Sequence, residues 1–488
     1  MPSTSPSSSR RRWLILALIG AAQLMVVLDV SIVNIALPSA QEDLGFSNDS
    51  RQWIITAYAL AFGSLLLLGG RLGDLFGRKR VFIVGLVGFA GASALGGFAS
   101  SFAMLVGARA LQGAFAALLA PAALGLLTTT FTIPEERNRA FSVFGIVGAS
   151  GAAVGLILGG VLTEYLNWRW TMFINLVLAI PAAVAGLRLL ADDTALVANR
   201  SPVDLPGTLT ASTGFFALVY GLSNAESDGW GSAVTIGGLA VGIALLAVFV
   251  AIERRVEHPL LPLRVVTDRA RAGGFLSNAV VGAGMFGVFL FLTFFMQRTL
   301  GFTPLASGLA FLPMMAMIIP AGAIGQTRLL PRFGARPVVV AGMLISGAGL
   351  LILTGVTPDS TYVAAVLPGL LVFGAGLGLI FGPALDTAVR GVDGLDAGVA
   401  SALVSTGQQV GGSLGTALLS TLAASAAASY ASTNQAAADI AAEAAVHGYT
   451  TAFASAAAVF AIGGVLAWLL LPSGPPDVSA ETRPVFTH

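Results

Sequence analysis

Long apolar runs alternate with short polar connections along almost the whole chain. About fourteen of these runs reach the roughly 20 residues that a helix needs to cross a bilayer core. They begin near Trp13, Trp53, Val81, Phe102, Arg139, Trp170, Leu205, Ala233, Ala272, Pro304, Pro337, Tyr362, Gly398 and Thr450. Backbone polar groups inside lipid must be satisfied within their own segment, so the pattern predicts an all-α polytopic membrane protein. The first run is expected to end at Pro38. It follows a Ser- and Pro-rich stretch and Arg10-Arg11-Arg12, and it is too long for a cleaved leader, so it reads as an uncleaved first helix.

The connections carry a second pattern. One alternate set holds Arg10 to Arg12, Arg71, Arg78, Lys79, Arg80, Arg137, Arg139, Arg188, Arg200, Arg254, Arg255, Arg264, Arg269, Arg328, Arg332 and Arg336. The other holds Glu42, Asp43, Asp49, Glu226, Asp228, Asp359, Asp439 and Glu443. Basic connections stay on the cytoplasmic side, so both termini are expected there, which requires an even number of spans. The same arginines can also touch anionic membrane lipid.

Composition agrees with this and narrows the chemistry. The chain is 56% hydrophobic and 10% charged, with mean hydropathy +0.86, against roughly 25% charged in a soluble domain. A net charge of +1 gives no electrostatic footprint for nucleic acid. Cysteine is absent and the three histidines, His258, His447 and His488, fall in predicted connections or the tail, so no metal site is expected. Gly77-Arg78-Lys79-Arg80 is not a phosphate-cradling loop, and no soluble domain could hold ATP. No cofactor is expected, and energy would come from a gradient.

An internal repeat is legible. Arg71-Leu72-Gly73-Asp74-Leu75-Phe76-Gly77 follows the second span; Arg328-Leu329-Leu330-Pro331-Arg332-Phe333-Gly334 follows the tenth, 257 residues later. Gly151, Gly155 and Gly159 in the fifth span recur as Gly407, Gly411 and Gly415 in the thirteenth, 256 residues later. Two unrelated features at nearly one offset argue for duplication. The expected organisation is a tail at 1–12, a six-helix bundle at 13–190, two inserted helices at 191–260, a second six-helix bundle at 261–472 and a tail at 473–488. Repeated halves are typical of secondary transporters, whose substrate site lies where the halves meet. The glycine stripes permit close helix approach, either as ordinary packing or as a hinge between the halves.

Asp29 and Arg109 are charges at membrane depth, where a charge is costly without a partner or a role. Asp29 lies about 13 Å and Arg109 about 10 Å from the outer ends of spans one and four, at 1.5 Å per residue. The repeat places Met285 opposite Asp29 and Ala365 or Val366 opposite Arg109, so the second half lacks the pair. Scaffold needs would recur in both halves; an asymmetric pair points to function, although a structural ion pair is the plainer alternative. In the proton-carrying reading, Asp29 takes a proton when the site opens outward and releases it when the site opens inward, and substrate competes for the carboxylate. Asp29→Asn is then expected to abolish proton-coupled transport and leave folding intact.

Gln112 follows Arg109 on one helical stripe that suits a cavity wall. Gln23, Asn34, Asn278, Gln297, Gln408 and Gln409 are further polar candidates for the cavity, each also serviceable as helix–helix glue. Span nine is rich in phenylalanine, including Phe286, Phe289, Phe291 and Phe294. Rings on a cavity wall would favour greasy or cationic substrates; packed rings are the commoner case.

Several motifs together resemble the major facilitator superfamily, specifically its fourteen-span drug:proton antiporters. Gly70-Arg71-Leu72-Gly73-Asp74-Leu75-Phe76-Gly77-Arg78-Lys79 resembles the superfamily's loop between helices two and three. Leu28-Asp29-Val30-Ser31-Ile32-Val33-Asn34-Ile35-Ala36-Leu37-Pro38 resembles the first-helix signature of the fourteen-span exporters. Arg109 with Gln112-Gly113, Trp168-Arg169-Trp170 and Phe173-Ile174-Asn175 fit the fourth and sixth helices of that group. The resemblance implies that spans one and four are neighbours facing the cavity. It implies that Asp74 with its arginines forms a cytoplasmic latch, to which Gly70, Gly77, Arg78 and the Gly151-Gly155-Gly159 stripe contribute. It also implies that spans seven and eight are peripheral, and that a monomer in the cytoplasmic membrane exchanges protons for an amphipathic or cationic compound. Leu156 stands where the antiporter motif usually has proline, which removes a source of helix kinking. A dedicated exporter of one metabolite, lipid or antibiotic, and a proton-coupled nutrient importer, remain alternatives.

Overall fold

The apolar runs fold as helices wherever a computed structural model describes them: residues 6–47, 50–131, 133–191, 204–256, 259, 261, 263–390, 392, 397–434 and 440–474. The first half contains α1 (Pro6–Leu44), α2 (Trp53–Phe76), α3 (Arg78–Gly97), α4 (Phe102–Thr130), α5 (Pro134–Tyr165) and α6 (Trp170–Leu189). Two inserted helices follow, α7 (Leu205–Asp228) and α8 (Ala233–Glu253). The second half contains the short α9 (Leu263–Thr267), α10 (Arg269–Phe294), α11 (Pro304–Ala310), α12 (Leu312–Ile324), α13 (Leu330–Phe333), α14 (Ala335–Leu353), α15 (Leu367–Val389), α16 (Ala397–Thr433) and α17 (Ile440–Leu470).

Local chemistry marks many of the starts. Side-chain oxygens of Ser101, Asp204, Ser232, Asp268 and Thr303 each accept the backbone N–H three residues on, opening α4, α7, α8, α10 and α11. Those N–H groups would otherwise be orphaned at a helix start. The first helix departs from the sequence expectation at both ends. It begins by Pro6, so residues 6–12 form about its first two turns rather than a tail, and it continues through Pro38 to Leu44. Proline removes only one hydrogen bond, and the polar turn beyond it is used: Asp43 accepts from the Trp168 indole at 2.9 Å and from the Arg169 guanidinium.

Among the described residues, twelve helices are long and apolar enough to cross a membrane. Two shorter apolar stretches, Trp53–Leu66 and Ser150–Tyr165, lie within α2 and α5. Three five-residue π-helical segments, Phe295–Thr299, Gly325–Leu329 and Tyr362–Val366, extend α10, join α12 to α13 and precede α15.

The halves repeat one topology. In the first, α1 packs on α5 and α6, α4 on α2 and α3, and α3 on α6. In the second, α10 packs on α16 and α17, α15 on α12 and α14, and α14 on α17. The turns after the repeated motifs match as well. Gly77 and Gly334 have φ of +92° and +81°, a region that side chains other than glycine rarely enter. The halves meet reciprocally, α2 against α16 and α5 against α11. The inserted helices pack on each other, and α7 also touches α2, where Ser212 donates to the Ser64 carbonyl at 2.6 Å. Much of α8 is exposed, including Val234, Ile236, Val241 and Ile243.

The glycine stripes are packing surfaces within each half. Gly151, Gly155 and Gly159 face Val27, Leu28, Ser31 and Ile32 of α1, and Gly411 and Gly415 face Ala279 and Ala283 of α10. The residues of α5 that meet the second half lie beside the stripe. Gly160 abuts Pro304 and Leu305, and the Leu156 carbonyl abuts Gly308. The helix carrying Leu156 runs unbroken from Pro134 to Tyr165.

A methyl group at Gly69 would run into the backbone of Ala117 and Leu118, whereas Gly91 has nothing within 4 Å. Gly69→Ala should therefore cost about 1–3 kcal/mol through overpacking and lower the thermal midpoint of the purified protein. Gly91→Ala should leave that midpoint unchanged or slightly raised. Equal midpoints for the two variants would contradict the α2–α4 packing.

Candidate functional site

Asp29 and Arg109 meet. Arg109 Nη1 donates to Asp29 Oδ2 at 2.5 Å, with the side chains 2% and 0% exposed. The other carboxylate oxygen is held as firmly. Asp29 Oδ1 accepts from Gln112 Nε2 at 2.9 Å and from Asn175 Nδ2 at 2.7 Å. Both amides also donate to Ser93 Oγ, at 2.9 and 2.8 Å, and Ser93 donates to the Met172 carbonyl at 2.9 Å. Arg109 has further partners: Nε donates to the Ile54 carbonyl at 3.1 Å, Nη1 to Gln112 Oε1 at 2.9 Å, and Cζ lies 4.4 Å from the centre of the Tyr58 ring.

Each member is placed by its helix. Arg109 and Gln112 share a face of α4 three residues apart. Gly113, the next residue, has no side chain where the Tyr58 carbonyl of α2 presses against it, so the two helices approach closely enough for the guanidinium to reach Ile54. Ser93 comes from α3 and Asn175 from α6, both fully buried. A charge at this depth is tolerable only when paired and hydrogen-bonded, and here each carboxylate oxygen has charged or amide donors.

The cluster lies inside the first bundle, among α1, α2, α3, α4 and α6. Gln112 is fully buried and hydrogen-bonded to Asp29 and Ser93, and both oxygens of Asp29 are taken up by protein donors. Ser93, Asn175 and Tyr58 were not assigned from sequence. Asn175 stood within a recognised motif, but nothing in one sequence pairs it with Asp29 across 146 positions.

The other predicted site residues scatter. Gln23 is half-buried on α1. Asn34 donates to the Val30 carbonyl of its own helix at 2.8 Å. Asn278 donates to the Gly274 carbonyl at 2.9 Å and accepts from Gln408 at 3.2 Å, within the second half. Gln409, beside Val410, approaches Gly63 of α2 where the halves meet. Phe286 covers Gly412, and Phe289 packs edge-on against Phe311 with centroids 5.0 Å apart, so both serve packing in the second half. Gly70 lies against Pro121, and Arg78 donates to the Gly125 carbonyl at 2.9 Å, both contacts between the first motif and α4. The Asp74 side chain lies outside the described residues.

Gln297 has a different place. It donates to the Ile35 carbonyl of α1 at 3.0 Å, across the halves. Beside it, Arg298 pairs with Glu42 at 2.5 Å and donates to the Pro38 carbonyl at 3.3 Å. The Leu305 N–H donates to Glu164 at 3.1 Å. Arg51, just before α2, lies over Phe294 of the second half at 4.1 Å. These contacts gather the ends of the helices remote from the chain termini into a seal between the halves. The wide turn at Phe295–Thr299 presents Gln297 and Arg298 to it.

Comparison with known proteins gives one consistent result. The Major Facilitator Superfamily model matches residues 19–416. The chain is 48% identical to a puromycin resistance protein of Streptomyces alboniger, over 95% of this chain and 92% of that one. It is 38% identical to a cephamycin export protein of Amycolatopsis lactamdurans, over 84% of each. It is 31% identical to a multidrug efflux pump of Mycolicibacterium smegmatis, over 83% of this chain and 80% of that one. The fold matches an auto-inhibited peptide transporter with TM-score 0.67 at 16% identity, covering 98% of both chains. Duplicated helical halves, a reciprocal interface and a family match over most of the length agree: this chain is a multi-pass membrane transporter and belongs to the major facilitator superfamily.

Proposed function

We propose that the protein is a proton-driven exporter of amphipathic drugs, dyes or antibiotics, with Asp29 as proton carrier. The observation that carries this reading is a carboxylate buried in a transporter's first half and held by one charged and two amide donors. A proton on Oδ2 removes the acceptor used by Arg109 Nη1. The guanidinium then keeps Ile54 O, Gln112 Oε1 and the Tyr58 face, which hold the cation in place but leave it without a counter-charge. Protonation therefore loosens α1 from α4 without expelling Arg109. Coupling to substrate runs through the fit of α1 against its neighbours rather than through competition for one carboxylate.

The reading includes a fourteen-helix chain, with α2 and α5 completing the twelve spans, both termini in the cytoplasm and the sealed end facing outward. Arginine-rich connections at the terminal end support that orientation. The named relatives support export of antibiotics, and puromycin is the first compound to test. A relative named for a single antibiotic at 48% identity also favours a dedicated exporter as a second reading. A panel of toxic compounds separates the two: broad protection supports the first, protection against one compound the second.

The decisive measurement is substrate-induced proton release from purified protein, with puromycin and a cationic dye as probes. Wild type should release protons and Asp29→Asn should not; equal release from both would end the proposal. The burial of the pair also revises the expectation that Asp29→Asn folds as wild type. Leaving Arg109 without a counter-charge costs on the order of 3–5 kcal/mol, so Asp29→Asn/Arg109→Gln should recover thermal stability while staying inactive. Asn175→Leu keeps both charges and removes one donor to Oδ1. It should reduce substrate-induced proton release, because the carboxylate loses one of the donors that position it. Release equal to wild type would remove Asn175 from the mechanism.

A further inference from the structure

The sealed end contains three arginines, and they are held in two different ways. Arg169 and Arg298 pair with Asp43 and Glu42. Among the described residues no carboxylate pairs with Arg51. Its guanidinium carbon lies 4.1 Å from the centroid of Phe294 and 5.8 Å from those of both Phe291 and Tyr449. The rings belong to α10 and α17 of the second half, while Arg51 belongs to the first. All three rings are buried, none more than 6% exposed.

We propose that these rings form a cation site on the exit route, and that Arg51 fills it as a tethered plug while the seal is closed. Three aromatic faces turned on one guanidinium are the arrangement that recognises organic cations. The plug and its socket stand on opposite halves, so parting the halves must withdraw Arg51 and uncover the rings. A departing compound with an amphipathic cationic group meets the vacated faces; when the seal closes again, Arg51 displaces it. The site thus holds a cation in the open form and expels it in the closed one. It rests on the proposed export of cationic compounds but not on the proton step.

The test is equilibrium binding of tetraphenylphosphonium to the purified full-length protein, at fixed pH and without a gradient. Arg51→Gln should bind about tenfold more tightly than wild type, within the range of a desolvated cation–π contact, and Arg51→Lys should stay near wild type. Arg51→Gln/Phe294→Leu should lose the gain, while Arg51→Gln/Tyr449→Phe, which keeps the ring, should retain it. A neutral amphipathic probe should bind all forms alike. The proposal is overturned if Arg51→Gln binds no more tightly, if the gain survives Phe294→Leu in a variant that melts as wild type, or if the neutral probe gains equally. A tenfold gain in a protein that shows no substrate-induced proton release would leave this site standing and remove the proton-driven reading.

Discussion

A carboxylate in the middle of an apolar bundle sets the terms for everything around it. Withdrawing Asp29 from water must be answered by charge and by hydrogen bonds, and the first half answers from several directions. Arginine comes from α4, one amide from α4 and one from α6, a hydroxyl from α3 joins the amides, and an aromatic face from α2 backs the arginine. Four helices thereby converge on one side chain of α1. The second half reaches the same topology with half-buried Met285 and fully buried Val366 at the corresponding places. The second half reaches its fold without the charge, so the pair is an asymmetry laid over a symmetric scaffold.

The same duplication explains how the halves touch. Because α2 corresponds to the α11–α13 segment and α5 to α16, the contacts α2–α16 and α5–α11 are two versions of one contact. Backbone approaches backbone there at Gly160 and Gly308, with no side chain of either glycine between. Polar and cationic contacts join the halves at the remote end as well. They are local and partly exposed, with Arg298 and Glu42 41% and 65% exposed, so each is weak alone and readily remade.

Much of this was legible in the chain. Apolar periodicity placed the helices, and the shared offset of the two motifs exposed the duplication. The glycines also told where helices would press together, although not against what: a stripe with fourfold spacing looks the same whether it faces its own half or the other. Asp29 and Arg109 were conspicuous because a charge in an apolar run has few innocent explanations. Their company was not. Ser93 and Asn175 are ordinary polar residues in spans that hold many, and only the fold brings them to one carboxylate. The reading of charge in the connections also passed over Arg51, Arg169 and Arg298 among the acids. The fold shows why they are there: two neutralise Asp43 and Glu42, and the third rests on rings that no sequence spacing would have brought to it.

One helix joins the two chemistries. Asp29 stands on α1, and the next few turns of that helix carry Ile35, Pro38 and Glu42, the acceptors that the second half grips. The glycine face of α5 supports the same stretch along Val27, Leu28, Ser31 and Ile32. Such an arrangement is a beam held at two points, by the carboxylate's partners and by the grip of the second half, with the glycine face of α5 alongside. A slight roll at the carboxylate would reach Glu42, about 20 Å further along, as a sideways sweep of the tip.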